Sequence, residues 1–172
     1  MFDFPKFYML CGLPASGKSH YALDLQRIMS NETNEKAVIV SSDNIRKELY
    51  GDENIQGNPE EVFKLVHERI LSSLDNGLNV IYDATNLKRK YRLGILNKLP
   101  KFVKTECHII WKPIYQCIKD DSNRERSVGE KLLIKWFKDL KYHFTMKGLI
   151  ILNGLNPTNL IMRTMYLKLE NL

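Results

Sequence analysis

A chain of 172 residues, 44% hydrophobic and 27% charged, can bury one central sheet with helices on both faces, which points to a single domain over 1–172 and against a second. The formal net charge of +6 is uneven: residues 1–86 carry 8 basic and 13 acidic side chains and residues 87–172 carry 18 and 7, so the basic surface belongs to the second half, where it suits a nucleic-acid backbone or a triphosphate equally. With no basic–apolar leader and no run long enough to span a membrane, the expectation is a soluble cytoplasmic protein. Cys11, Cys107 and Cys117, odd in number and without metal-ligand spacing, read as reduced buried thiols, which leaves metal chemistry to oxygen-bound Mg²⁺.

The first element is a strand over 7–11, FYMLC, and it runs straight into Gly12-Leu13-Pro14-Ala15-Ser16-Gly17-Lys18-Ser19. A glycine-rich loop between a strand and a helix is the context of a phosphate-binding loop. Gly12 and Gly17 let backbone N–H groups close on the phosphates, Lys18 reaches the β- and γ-phosphates, and the Ser19 hydroxyl binds Mg²⁺. The segment from Gly12 to His20 is therefore the expected cradle for ATP or GTP, with the next helix pointing its positive end at the anion. Ala22, Leu25, Ile28 and Met29 space one apolar face of that helix.

The second strand, 37–41, ends in Ser41-Ser42-Asp43-Asn44-Ile45-Arg46. Asp43 and Arg46 thus stand at the carboxyl edge of a parallel sheet, where ligands bind in such folds. A carboxylate there can take the proton of an attacking hydroxyl, and an arginine can hold an acceptor phosphate through a fork of N–H bonds. The opposing reading makes Asp43 an ordinary helix N-cap. Residues 50–58 are polar and read as a surface loop, and a long helix starts near Pro59 and stops at Gly77.

The third strand, 79–83, ends in Tyr82-Asp83-Ala84-Thr85-Asn86. Asp83, Thr85 and Asn86 are candidates for the acceptor side, Asp83 to orient a metal-bound water or to brace Arg46, and Asn86 also to cap a helix starting near Leu87. Lys88, Arg89, Lys90 and Arg92 open that helix and are candidates to touch an acceptor backbone. A fourth strand covers 105–111. The charged run Asp120-Asp121-Ser122-Asn123-Arg124-Glu125-Arg126, continuing to about residue 130, reads as a lid that brings an arginine to the transferring phosphoryl group and excludes water. Lys131, Lys135, Lys138 and Lys141 form a solvated stripe on the next helix, and a fifth strand is expected over 148–152. In the last stretch, 153–172, Ile161, Met165, Leu169 and Leu172 fall at helical spacing, and a terminal helix is expected there. The alternating rhythm of strands and helices predicts a three-layer α/β sandwich with a five-stranded parallel sheet. The four histidines, His20, His67, His108 and His143, form no ligand pattern.

Four blocks in order, GLPASGKS, SSDNIR, YDATNL and CIKDDSNRERSVGEKLL, make the chain resemble the P-loop phosphotransferases related to bacteriophage polynucleotide 5′-kinase and to the kinase module of bacterial polynucleotide kinase/phosphatase repair enzymes. The resemblance covers residues 8 to about 140 and implies a kinase-like P-loop fold. It implies Lys18 and Ser19 on phosphate and Mg²⁺, Asp43 as general base for a 5′-hydroxyl, Arg46 on the acceptor's 3′-phosphate, Arg124 or Arg126 as the lid arginine on the donor, and Asp83 supporting the acceptor. The lid departs from the family: Asp120-Asp121 stands where Arg-Asn is frequent. Two other readings stay open, a kinase of a nucleoside, sugar, antibiotic or toxin-type acceptor, and a nucleotide-binding switch or weak ATPase that acts through a protein partner.

Overall fold

The computed structural model describes residues 4–32, 34–125, 127–145 and 163–168, the side chains of 140–145 and 163–168 excepted. Strands β1 (Lys6–Cys11), β2 (Ala37–Ser41), β3 (Asn79–Asp83) and β4 (Lys104–Trp111) alternate with helices α1 (Lys18–Glu32), α2 (Ser42–Tyr50), α3 (Pro59–Asp75), α4 (Arg89–Leu96), α5 (Ile114–Ser122) and α6 (Glu130–Thr145), and β5 (Arg163–Lys168) follows. The sheet order is β2-β3-β1-β4-β5. Pairings β2–β3, β3–β1 and β1–β4 are parallel, whereas β5 pairs antiparallel with β4, Cys107 opposite Leu167.

The expectation of five parallel strands is corrected here to four. The segment 163–168, expected to be helical, is an antiparallel edge strand. Met165, Leu167 and Leu169 alternate like a strand while Met165 and Leu169 also fit the helical spacing, and pairing of 163–168 with the open edge of β4 decides between the two. The strand expected over 148–152 lies outside the described residues.

Side-chain alternation along β1 splits the interior into two layers. Phe7, Met9 and Cys11 point to one face, where Val62, Val66, Ile70 and Leu74 of α3 pack with Ile45 of α2 and Ile95 of α4. Tyr8 and Leu10 point to the other, where α1 places Ala22 and Met29. α1 on one face and α2, α3 and α4 on the other make the three expected layers. The helix predicted to start near Pro59 does so, with Asn58 as its cap accepting from the Glu60 amide. A third apolar cluster joins the lid helices to the first loop: Leu13 and Leu87 pack with Cys117 of α5 and Leu133 of α6. All three cysteines are buried and free. No helix among the described residues is long and apolar enough to cross a membrane.

Candidate active site

Strands β1, β2 and β3 end side by side, and the loops that leave them wall a cavity of about 610 Å³. From the first loop, Pro14, Ala15, Gly17, Lys18, Ser19 and His20 line it. Asp43 and Arg46 of α2 line it too, as do Asp83, Thr85 and Asn86 after β3, and Arg124 beyond α5. Gly12, Leu13 and Ser16 are not on the wall. Leu13 is buried against the lid helices, and Ser16 Oγ is buried without a hydrogen-bond partner among the described residues.

Gly12 stands behind the cradle for a steric reason. Its N–H donates to the Thr85 carbonyl at 3.1 Å, and a Cβ at this position would come within 2.6 Å of the Ile110 carbonyl oxygen. Any side chain would push β1 and β4 apart where the loop begins. Gly17, at φ 96°, uses the left-handed region directly before Lys18.

Lys18 is the first residue of α1 and only 8% exposed. Its ammonium donates to the Leu13 carbonyl at 2.7 Å, which curls the side chain back over its own loop. Burial pulls its pKa down from 10.5, against the opposing pull of the Asp83 and Asp43 carboxylates, while Arg124 adds to the depression. An incoming polyanion offsets that depression through its own negative charge.

Asp83 ends β3 and is buried. Its Oδ2 accepts from Ser19 Oγ at 2.7 Å, and burial raises its pKa, opposed by that hydrogen bond and by Lys18. Hydroxyl and carboxylate together are a hard-oxygen donor pair of the kind Mg²⁺ takes when phosphate and water complete its shell. No group of three or more His, Cys, Asp or Glu among the described residues could hold a metal by itself. Asp83 therefore sits beside Ser19 of the first loop, the geometry that the first of its two expected roles, next to a bound metal, requires.

Ser41, not Asp43, is the N-cap of α2: its hydroxyl accepts from the Asn44 amide at 3.5 Å. Asp43 lies in the first turn, and its Oδ1 accepts from Arg46 Nη1 at 2.6 Å. The Arg46 side chain is 12% exposed, and its Nε–H is buried without a hydrogen-bond partner among the described residues. A buried guanidinium with an unsatisfied N–H costs free energy until an acceptor reaches it.

Asn86 lines the cavity but does not cap the helix expected near Leu87. It adopts φ 46°, its Nδ2 donates to the Leu10 carbonyl at 2.8 Å, and α4 begins only at Arg89 with Lys88 as cap. The side chain pins the loop after β3 to the end of β1 instead of capping a helix. Arg92 is likewise turned inward: its Nη1 donates to the carbonyls of Asn86 and Leu87 at 2.8 and 2.7 Å, so it drops out of the basic cluster expected on the surface.

The lid is shorter than the sequence suggested, because α5 continues through Asp120 and Asp121 to Ser122. Asp121 is 1% exposed, and its Oδ2 accepts from Ser127 Oγ and from the Val128 and Gly129 amides at 2.8, 2.8 and 3.0 Å. The carboxylate thereby ties the loop after α5 to the start of α6. Replacing Asp121 by alanine takes the acceptor from two half-buried amides and should cost about 1–3 kcal/mol, measured as a lowered urea midpoint with unchanged slope. Of the two arginines expected to serve as lid arginine, Arg126 lies outside the described residues and Arg124 lines the cavity.

Lys112, directly after β4, escaped sequence reasoning. It lines the cavity, donates to the Ala15 carbonyl at 3.2 Å and pairs with Asp120. The rule that ligands gather at the carboxyl ends of parallel strands, applied to β4 as well as to β2 and β3, was the signal that could have found it. Ser42, Gln56, Phe63, Ala84, Tyr91, Asp120, Val128 and Trp136 complete the wall.

A parallel α/β sheet whose first loop carries a buried lysine and a serine–aspartate pair, facing acidic and basic groups from the next strands, defines a P-loop domain of kinase type. The family profile described as AAA domain (AAA_33) matches residues 7–145, and the chain belongs to this family. Among solved structures it is similar to a chain of the Pnkp1/Rnl/Hen1 RNA repair complex, with 22% identity, a TM-score of 0.74, and coverage of 86% of this chain and 48% of that one. It is also similar to a Mycobacterium tuberculosis APS kinase, CysC, with 20% identity, a TM-score of 0.58 and 68% coverage of each. A gluconokinase from Sinorhizobium meliloti 1021 gives 19% identity, a TM-score of 0.51, and coverage of 80% of this chain and 75% of that one. The chain thus spans about half the length of the RNA repair chain it matches. No curated protein matches the sequence.

Proposed function

We propose that the chain is a Mg²⁺-dependent phosphotransferase that moves the γ-phosphate of ATP or GTP to a hydroxyl, and that the hydroxyl is the 5′-OH end of RNA or DNA. The observation that carries this reading is the Asp43–Arg46 pair on the wall shared with Lys18, Ser19 and Asp83, with Arg46 Nε buried and unsatisfied. An alcohol nucleophile needs a base, and Asp43 supplies it. A hydroxyl that belongs to a phosphate-bearing acceptor needs a cation beside the base, and Arg46 supplies that. Likeness in fold to the RNA repair complex agrees with a nucleic-acid end.

In this mechanism Lys18 gives up the Leu13 carbonyl for the β- and γ-phosphate oxygens. Ser19 and Asp83 are the residues that would hold Mg²⁺, which would supply neutralisation of phosphate charge. Arg46 turns its unsatisfied edge to the acceptor phosphate and so orients the hydroxyl toward Asp43. The Asp43 carboxylate accepts the hydroxyl proton as the oxygen attacks. Arg124 closes over the donor from the lid, and α5 and α6, anchored on Leu13, keep it in register with the loop.

The test is transfer of label from γ-labelled ATP or GTP to three acceptor sets: 5′-OH oligonucleotides, nucleosides and sugars. Label on the oligonucleotide 5′ end that disappears with Asp43→Asn is the expected result. Label on a nucleoside or sugar alone would assign the chain to the small-molecule kinases, the chemistry that the gluconokinase and APS kinase names carry.

A further inference from the structure

Resting on that reading, we infer that Phe63 and Tyr91 form a stacking platform for the 5′-terminal base of the acceptor, with Lys88 and Lys90 on the backbone phosphates beyond the one that Arg46 holds. The two rings are nearly parallel, 10° between planes, with centroids 6.2 Å apart, and both lie on the cavity wall. They come from α3 and α4, which share the sheet face of α2 and its Asp43–Arg46 pair, whereas the lid helices α5 and α6 pack elsewhere, on Leu13 and Leu87. The aromatic pair therefore stands on the acceptor side of the loop, not the donor side.

Tyr91 is 47% exposed and lines the cavity, so its ring is open to a ligand. Lys88 and Lys90 hold their ammonium groups over this ring, 5.7 and 5.1 Å from its centroid. Such cation–π contacts are weak at an exposed site, so the lysines exchange readily to a phosphate. A base that continues the Phe63–Tyr91 stack fits the π-faces without regard to its identity, and the displaced lysines find the backbone anions further along the strand. A bare sugar offers neither a π-face nor a backbone phosphate, so the platform favours a nucleotide acceptor and leaves base sequence unread.

The experiment places 2-aminopurine, whose emission falls on stacking, at the first position of a 5′-OH oligonucleotide, with the fourth position as control. Binding to the wild-type chain should lower emission at the first position only. Tyr91→Ala should restore the emission and raise the acceptor KM about tenfold with kcat little changed, and Tyr91→Phe should behave as wild type. Replacing Lys88 and Lys90 by alanine should weaken all oligonucleotides alike and flatten the salt dependence of binding by about one phosphate contact per lysine. Unchanged emission on a bound oligonucleotide, equal emission with Tyr91→Ala, or no oligonucleotide binding overturns the platform. Loss of emission from 2-aminopurine riboside triphosphate in place of the oligonucleotide also overturns it, by moving the aromatic pair to the donor. Stacking without transfer of phosphate to the 5′ end leaves the platform standing and overturns the kinase reading.

Discussion

Lys18→Met should abolish phosphoryl transfer, with kcat reduced at least 10²–10³-fold, the cost of losing one preorganised charge at a transferring group, while the protein folds as well as the wild type or better. The two halves of this expectation have one physical source. Lys18 is buried, and its ammonium has traded water for a single carbonyl and two carboxylates near enough to act on it. A buried charge of that kind is a poor contributor to stability and a good one to transition-state binding, because the same low-dielectric site that penalises the lone ammonium strengthens its attraction for a phosphoryl oxygen. Methionine fills a similar volume without the charge.

The pH dependence of stability separates this account from a purely structural role. Burial lowers the Lys18 pKa below 10.5, so between the folded value and 10.5 the unfolded chain binds more protons than the folded one. Stability from this group must then rise with pH through that window, and Lys18→Met must lose the slope. Chemical denaturation of both proteins across the alkaline range checks it. A variant that melts early and still transfers phosphate would sink the assignment.

The sequence made the donor half of the site legible because its chemistry is local. A phosphate loop needs its glycines, lysine and serine at fixed spacing within eight residues, and Gly12, Gly17, Lys18 and Ser19 can be recognised with no knowledge of the rest of the chain. The four parallel strands were legible for a related reason: each is a short apolar run between helical patterns. What required three dimensions was pairing across distance. Asp83 meets Ser19 over a separation of 64 residues, Lys112 meets Ala15 over 97, and Phe63 meets Tyr91 between two helices, contacts that no periodicity encodes. Asn86 and Arg92 were misread because polar side chains at a helix start are expected to cap or to face solvent, and here the carbonyls of Leu10, Asn86 and Leu87 needed donors. At 163–168 a sheet edge overrode a helical spacing.

Asp43→Asn should lower kcat by about 10²–10⁴-fold, the usual worth of a general base, and should leave donor affinity nearly untouched. The carboxylate stands on α2, outside the first loop, and accepts from Arg46 at 2.6 Å, so its loss should act chiefly on the acceptor half. Asparagine keeps an oxygen for Arg46 Nη1, which makes the substitution a test of basicity more than of position. Arg46→Ala should differ in kind: acceptor KM rises with a smaller fall in kcat, because the arginine positions the hydroxyl but takes no proton. Since the two side chains are joined at 2.6 Å, the double variant should cost less than the product of the single effects, and a full cycle of kcat/KM values measures that coupling directly. Slow hydrolysis of the donor that survives Asp43→Asn, with no hydroxyl acceptor found, would instead mark the chain as a nucleotide-dependent switch. Equal loss of donor binding in both variants would mean that the division into donor and acceptor halves is wrong.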